Sequence, residues 1–213
     1  MYFDGNGNLL TCADEKNELW SISPERKVTV LVDSFKGKLL NGPNDLWIHP
    51  RTGLIYFTDP FYKRGYWMRE SKEQDVEGVY LFNRDTSELV RIAGDLQQPN
   101  GIVGTPDGKT LYVADIRAGA TYQYSIEEDG RLSGKKAFCN MGSDGMTIDN
   151  EGNLYLTGRG VTVFNKNGEN IGQIKIDEGW TANICFGGKD SKTLFITAMD
   201  SLYSIRMRTS GVR

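Results

Sequence analysis

One pattern of polar and apolar positions recurs five times along the chain: a turn containing Gly or Asp, then a short apolar run. It reads Asp4-Gly-Asn-Gly-Asn-Leu-Leu-Thr-Cys, then His49-Pro-Arg-Thr-Gly-Leu-Ile-Tyr-Phe-Thr-Asp. It returns as Pro106-Asp-Gly-Lys-Thr-Leu-Tyr-Val-Ala-Asp, as Asp149-Asn-Glu-Gly-Asn-Leu-Tyr-Leu-Thr-Gly and as Lys189-Asp-Ser-Lys-Thr-Leu-Phe-Ile-Thr-Ala. The leucines that anchor the pattern, Leu9, Leu54, Leu111, Leu154 and Leu194, are spaced by 45, 57, 43 and 40 residues. Periods near 40–50 built only of strands are those of propeller blades.

Each period holds further strands. An innermost strand precedes the turn, as in Leu46-Trp47-Ile48 and Met146-Thr147-Ile148. A third follows, as in residues 19–22, 79–82, 161–164 and 202–205, and an outer one closes most units, at 28–31, 89–92 and 174–176. We label the four strands of a blade A to D from the axis outward. No long segment has a helical period. The expected architecture is one all-β propeller domain over 1–213, with blades at about 1–34, 42–95, 98–139, 142–176 and 181–207. Neither terminal blade is complete in this reading. A closed propeller hides its sheet edges by completing the last blade with a strand from the other terminus. The expectation is therefore a further blade upstream of Met1.

The repeat also aligns polar side chains. Asn44, Asn100, Asp144 and Asn183 stand ten or eleven residues before their anchoring leucines, at the start of strand A. Blade symmetry puts such positions on a ring around the axis, at the mouth of the channel. Oxygen donors converging there suit a hard cation. Strands alternate in direction, so Asp59, Asp115 and Arg159, at or after the ends of B strands, are expected to rim the same mouth. Residues 61–76, which carry Tyr62 and Trp67, form a long B-to-C connection and read as a lid.

Other chemistry is excluded. His49 is the only histidine and falls in an A-to-B turn, on the face opposite the ring, so no Ser-His-Asp triad can form. Asp4-Gly-Asn-Gly-Asn resembles the start of an EF-hand loop, but Leu9 stands where glycine is required. Cys12, Cys139 and Cys185 are far apart, with no C-x-x-C pair, and read as buried free thiols. The 25 glycines, about 12% against a usual ~7%, fit many tight turns, and the net charge of −3 gives no reason to expect nucleic acid or an acidic membrane surface as partner.

These residues resemble the family that joins senescence marker protein (regucalcin), gluconolactonase and luciferin-regenerating enzyme. The motifs are Asn41-Gly-Pro-Asn-Asp, Tyr56-Phe-Thr-Asp-Pro, Gln98-Pro-Asn-Gly, Gly142-Ser-Asp-Gly-Met, and Phe186-Gly-Gly with Leu194-Phe-Ile-Thr. The resemblance implies a six-bladed propeller, of which about four and a half blades stand here and the N-terminal one is missing. It implies one divalent cation in the channel, calcium first, with zinc or magnesium as alternatives. Asn100 and Asp144 would be ligands, and Asn44 a ligand or a contact to substrate or a bound water. The family also uses a first-blade Glu that has no counterpart here. Gly42 stands where some members have Arg, which resembles the bacterial branch.

The implied activity is metal-dependent hydrolysis of sugar lactones by the complete propeller; without the first-blade Glu, the chain by itself is expected to bind metal weakly and to hydrolyse lactones poorly. Asp144 is the only carboxylate in the ring and so the candidate for ligand and general base together. Asn44, Asn183, Asp59, Asp115, Arg159, Tyr62 and Trp67 are the expected substrate contacts. A calcium-binding propeller without catalysis, and a metal-dependent esterase or phosphotriesterase, are the alternatives. The expected partner is a small lactone and the expected location is the cytoplasm, on the reduced thiols. The metal, the lactone and the oligomeric state are not legible.

Overall fold

The structure is a computed structural model that describes residues 1–212. Five antiparallel sheets follow one another in chain order. Blade I holds Tyr2–Phe3, Leu9–Ala13, Glu18–Ile22 and Val28–Val32. Blade II holds Leu46–Ile48, Ile55–Asp59, Gly78–Asn83 and Glu88–Ala93. Blade III holds Pro99–Gly104, Thr110–Asp115, Ala120–Ile126 and Leu132–Cys139. Blade IV holds Met146–Ile148, Leu154–Gly158, Gly160–Phe164 and Asn170–Ile174. Blade V has three strands, Thr181–Gly187, Thr193–Ala198 and Ser201–Arg206. Successive A strands lie side by side, which is the arrangement of a propeller. The only helical turn among the described residues is a 3-10 turn at Asp14–Lys16.

The polar half of the repeat forms the A-to-B turns. Asp4 Oδ1 accepts the amides of Asn6 and Asn8, both at 2.9 Å. Asp149 Oδ1 does the same for Glu151 and Asn153 at 2.9 Å. His49 Nδ1 takes this role in blade II, accepting the Arg51 and Thr52 amides at 3.2 Å. These are Asx-type turns that present a side chain in place of a backbone acceptor. His49 Nε2 also meets the Gly108 carbonyl at 3.1 Å and so docks its turn on that of blade III.

The apolar half packs blade on blade. Leu111, Leu154 and Leu194 are fully buried, whereas Leu9 and Leu54 are half-buried beside the fully buried Leu10 and Ile55. One cluster joins blades I and II, a second joins II, III and IV, and a third joins IV and V. Burying each such side chain is worth about 1.5–3 kcal/mol, so the interfaces between sheets hold the fold.

Some elements differ from the expectation. The outer strand of blade IV is Asn170–Ile174, not 174–176, and it is almost wholly exposed, so no apolar pattern marks it. A two-stranded ribbon, Ser34–Phe35 with Lys38–Leu39, stands between blades I and II. After Ser201–Arg206 the chain doubles back along the turns of blades V and IV. Gly211 donates to the Ser191 carbonyl at 2.8 Å, and Asn150 to that of Ser210 at 2.8 Å. No strand pairs blade V with blade I among the described residues.

Candidate functional site

Asn44, Asn100 and Asp144 line one cavity of about 210 Å³ at the starts of three A strands, together with Tyr62, Arg64, Ile116 and Trp180. The backbone that carries them is held by the ends of the neighbouring B strands. The Asp59 carboxylate accepts the amides of Asn41 at 2.9 Å and Gly42 at 2.8 Å. These residues stand three and two positions before Asn44. Asp115 accepts Gln97 at 2.7 Å and Gln98 at 3.0 Å, at the same two offsets before Asn100. Both carboxylates are buried and fully occupied by backbone, so they shape the loops rather than line the cavity. In blade IV, where Gly158 replaces the carboxylate, Ser143 and Thr157 hold the loop instead. Thr157 donates its amide to Ser143 Oγ at 2.8 Å and accepts that of Gly145 on its hydroxyl at 2.9 Å.

Adjacent blades are stitched at the same level. Thr58 Oγ1 donates to the Asn100 carbonyl at 2.8 Å. Asp45 Oδ2 accepts the Ile102 amide at 3.2 Å, and Oδ1 accepts that of Leu46 at 2.9 Å. Burial pushes the Asp45 carboxyl up to about 6 and the Asp59 carboxyl up to about 7, even though their amide partners oppose the shift.

The remaining expected contacts are distributed as follows. Tyr62 lines the cavity, and its hydroxyl accepts Asn100 Nδ2 at 2.8 Å. Trp67 lies on the same side, over Gly42, whose added Cβ would meet its ring at 3.0 Å. The space of a residue-42 side chain is thus filled by the lid. Asn183 does not line the cavity; its Oδ1 accepts the Ile184 amide at 2.8 Å. Arg159 is exposed at the tip of the turn between Gly158 and Gly160 and is also outside the cavity wall.

Three wall residues lie outside the repeat. Trp180 precedes the A strand of blade V and donates from Nε1 to Asp144 Oδ2 at 3.2 Å. Arg64 sits in the irregular lid; its guanidinium stacks on the Tyr62 ring at 5.2 Å and pairs with Asp14 of blade I at 2.6 Å. Ile116 follows the B strand of blade III. Asp45 was visible within the Asn41-Gly-Pro-Asn-Asp motif, but nothing in the repeat marked it as a cross-blade tie.

The donor set favours a hard cation. Asn100 is 2% exposed, and its Oδ1 is buried with no hydrogen-bond partner. An orphaned amide oxygen costs about 1–3 kcal/mol unless something coordinates it. Asp144 is the one carboxylate in the wall, and among the described residues no three His, Cys, Asp or Glu side chains gather. Two amide oxygens and a carboxylate fit calcium better than a thiophilic metal. The three cysteines are free and none lines the cavity.

The fold and these motifs have counterparts. A gluconolactonase of Zymomonas mobilis is 34% identical over 202 residues, which cover 87% of this chain and 56% of that protein. The chain thus spans little more than half the length of that relative. The solved structure of a gluconolactonase from Xanthomonas campestris superposes with a TM-score of 0.87 at 30% identity, over 96% of this chain and 70% of that one. Regucalcin from Agrobacterium tumefaciens, a calcium-binding protein, shares the fold at a TM-score of 0.79 and 19% identity, over 99% of this chain and 75% of the other. The profile of the SMP-30/Gluconolactonase/LRE-like region matches residues 1–200, and the chain belongs to that family.

Proposed function

We propose that the chain carries the site of a metal-dependent sugar-lactone hydrolase, with Asn44, Asn100 and Asp144 around one divalent cation, calcium before zinc or magnesium. The observation that carries this reading is the buried, unpartnered Oδ1 of Asn100 in the same cavity wall as Asn44 and the Asp144 carboxylate. The lactonase names of two similar proteins support the substrate class.

A bound cation supplies Lewis acidity toward the lactone carbonyl and lowers the pKa of an attacking water. The chain's own groups do the rest. Asp144 takes the proton of the water whose oxygen adds to the carbonyl carbon. When the ring C–O bond breaks, that proton goes to the departing ring oxygen, leaving a hydroxy acid. Trp180 holds Asp144 Oδ2 by its indole N–H, which leaves the carboxylate oriented toward the cavity. Trp180 is 40% exposed and offers an apolar wall to the C–H face of a sugar. Tyr62 and Arg64, carried on the lid, form part of the cavity wall.

The test is proton release from glucono-lactone with calcium, zinc or magnesium, run beside a phosphotriester. The expected result is cation-dependent turnover of the lactone in preference to the phosphotriester. Asp144→Asn should lower it by roughly 10²–10⁴-fold, the usual cost of losing a general base. Undiminished activity of Asp144→Asn at saturating cation would falsify the assignment. Cation binding with no turnover of either substrate would favour a non-catalytic calcium-binding propeller.

A further inference from the structure

We infer that Arg64 is a substrate-binding residue that takes an anionic group of the lactone, so that the cavity favours acidic-sugar lactones, with a carboxylate, sulfonate or phosphate on the sugar, over neutral ones. The inference rests on the proposed site and names the substrate class it serves. Arg64 and Asp144 are the only charged side chains of the cavity wall. Asp144 stands with Asn44 and Asn100 around the proposed cation, where the lactone carbonyl is activated. Arg64 comes from the lid, and its guanidinium lies over the Tyr62 ring, 5.2 Å from the centroid. The hydroxyl of that ring meets Asn100 Nδ2 at 2.8 Å. One tyrosine thus spans from Asn100 to the guanidinium. A lactone whose carbonyl lies beside Asn100 can direct a substituent past Tyr62 at Arg64.

The guanidinium is held but not used up. Nε donates to Asp14 Oδ2 at 2.8 Å, and Nη2 meets the same oxygen at 2.6 Å. Oδ1 of Asp14 is buried and has no hydrogen-bond partner. An arginine that only tied the lid to blade I would take both carboxylate oxygens side by side, which is the stronger arrangement. Here a single oxygen serves the Nε–Nη2 edge. The Nη1–Nη2 edge keeps two parallel N–H groups, and among the described residues nothing accepts from Nη1. Two parallel donors match two oxygens of a carboxylate, sulfonate or phosphate, whereas a sugar hydroxyl presents only one. An anion at that edge is closer to the guanidinium than to Asp14 on the adjacent edge. Asp14 therefore weakens the attraction without cancelling it. Asp14 and the Tyr62 ring fix the fork in place, which lowers the entropy lost when an anion engages it.

The experiment measures binding rather than turnover. The probes are unhydrolysable lactams: the neutral lactam of gluconic acid, and the lactam of glucaric acid, which adds a carboxylate at the far carbon. The same ring with a sulfonate or a phosphate at that carbon tells which anion is preferred. Dissociation constants are read by calorimetry and NMR titration, in metal-stripped buffer and again with calcium. The proteins are the parent chain, Arg64→Gln, Arg64→Lys and Asp14→Asn. In metal-stripped buffer the parent should bind an acidic lactam about tenfold more tightly than the neutral one, the lower end of the range for hydrogen bonds to charged groups. Arg64→Gln should bring the two within about twofold of each other, because no charged donor remains. Arg64→Lys should keep part of the preference, since a point charge remains without the fork. Asp14→Asn still accepts from Nε but carries no charge, so the preference should persist or grow. Arg64→Gln and Asp14→Asn both disturb the seating of the lid, and only the first removes the guanidinium. Equal binding of the neutral and all acidic lactams by the parent overturns the role of Arg64 and leaves the proposed site in place. So does a preference that survives in Arg64→Gln or vanishes in Asp14→Asn. If no lactam binds up to its solubility, with or without calcium, the cavity is not a sugar-lactone site, and the proposed function falls together with this inference.

Discussion

At the scale of single residues, the buried carboxylates of the B strands carry the clearest stability prediction. Asp59 is fully buried, and burial raises its carboxyl to about 7 against the pull of two amides and Arg69. Its folded pKa lies above the unfolded value, so the folded state holds the extra proton. The stability this contributes is fully present below the unfolded pKa, near 4, and is lost as pH rises through about 7. The urea midpoint should therefore fall between about pH 5 and about pH 8. Asp59→Asn should be flatter over that window. It should also be less stable at its acidic end by about 1–3 kcal/mol, because one amide N–H then faces an NH2. A parallel pH dependence in both proteins would remove Asp59 as the cause. The repeat made this residue visible without revealing what it does. It stands at the end of the B strand, where a rim contact was expected, and only burial and its two backbone partners show that it shapes the loop instead.

At the scale of elements, the contact between the A strands of blades II and III is tight enough to test directly. A Cβ at Gly104 would lie 2.3 Å from Trp47 Cζ2, and Trp47 is itself held between His49 and Tyr56. Gly104→Ala should cost about 1–3 kcal/mol in denaturant unfolding, the range of overpacked cores. Gly5→Ala, which meets nothing within 4 Å, should be near neutral. Trp47→Phe should recover part of the loss in the Gly104→Ala protein, and additive effects would show that the two do not share the strain. The lid offers a second test. Arg64 and Asp14 are half-buried partners, so Arg64→Met should release the connection and speed tryptic cleavage at Lys63 and Lys72 several-fold. Global stability should change by less than about 1 kcal/mol, as for a partly exposed ion pair; unchanged cleavage would mean that the other lid contacts, among them those of Gln74 with the Phe35, Lys38 and Leu39 carbonyls, hold it without Arg64. Elements that repeat were legible because the same turn-and-strand pattern returns with each blade. The outer strand of blade IV was misplaced because its exposed residues carry no alternation, and Arg64 and Trp180 were missed because no other blade has an equivalent.

At the scale of the whole molecule, the blades form an array in which each sheet gains its core only from its neighbours. Blades II, III and IV share hydrophobic clusters with a blade on each side, whereas blades I and V each share one cluster with one other blade. In such an array stability is approximately a sum of unit and interface terms. In the chain of residues 1–213, blades I and V should therefore open at lower free energy than blades II to IV. Burial follows the same gradient. Every residue of Ile55–Asp59 and of Leu154–Gly158 is buried, while Ser201–Arg206 is mostly exposed and pairs with no outer strand among the described residues. At the far side Phe3 is 71% exposed and Leu202 of blade V is 69% exposed. Native-state hydrogen exchange should show this as three tiers. The paired amides of Ile55–Asp59, Thr110–Asp115 and Leu154–Gly158 should exchange only by global opening, and those of Leu9–Ala13 and Thr193–Ala198 earlier. The paired amides of Tyr2–Phe3 and Ser201–Arg206 should exchange earliest, by local opening. The consequence reaches the cavity, whose wall is drawn from blades II, III and IV, with Trp180 alone leading into blade V. Opening of blade V would withdraw Trp180 from Asp144 without disturbing Asn44 or Asn100. Calcium should then slow exchange around Trp180 more than at Ser201–Arg206. Uniform protection across all five blades would mean that the array unfolds as one unit, and that its ends are no weaker than its middle.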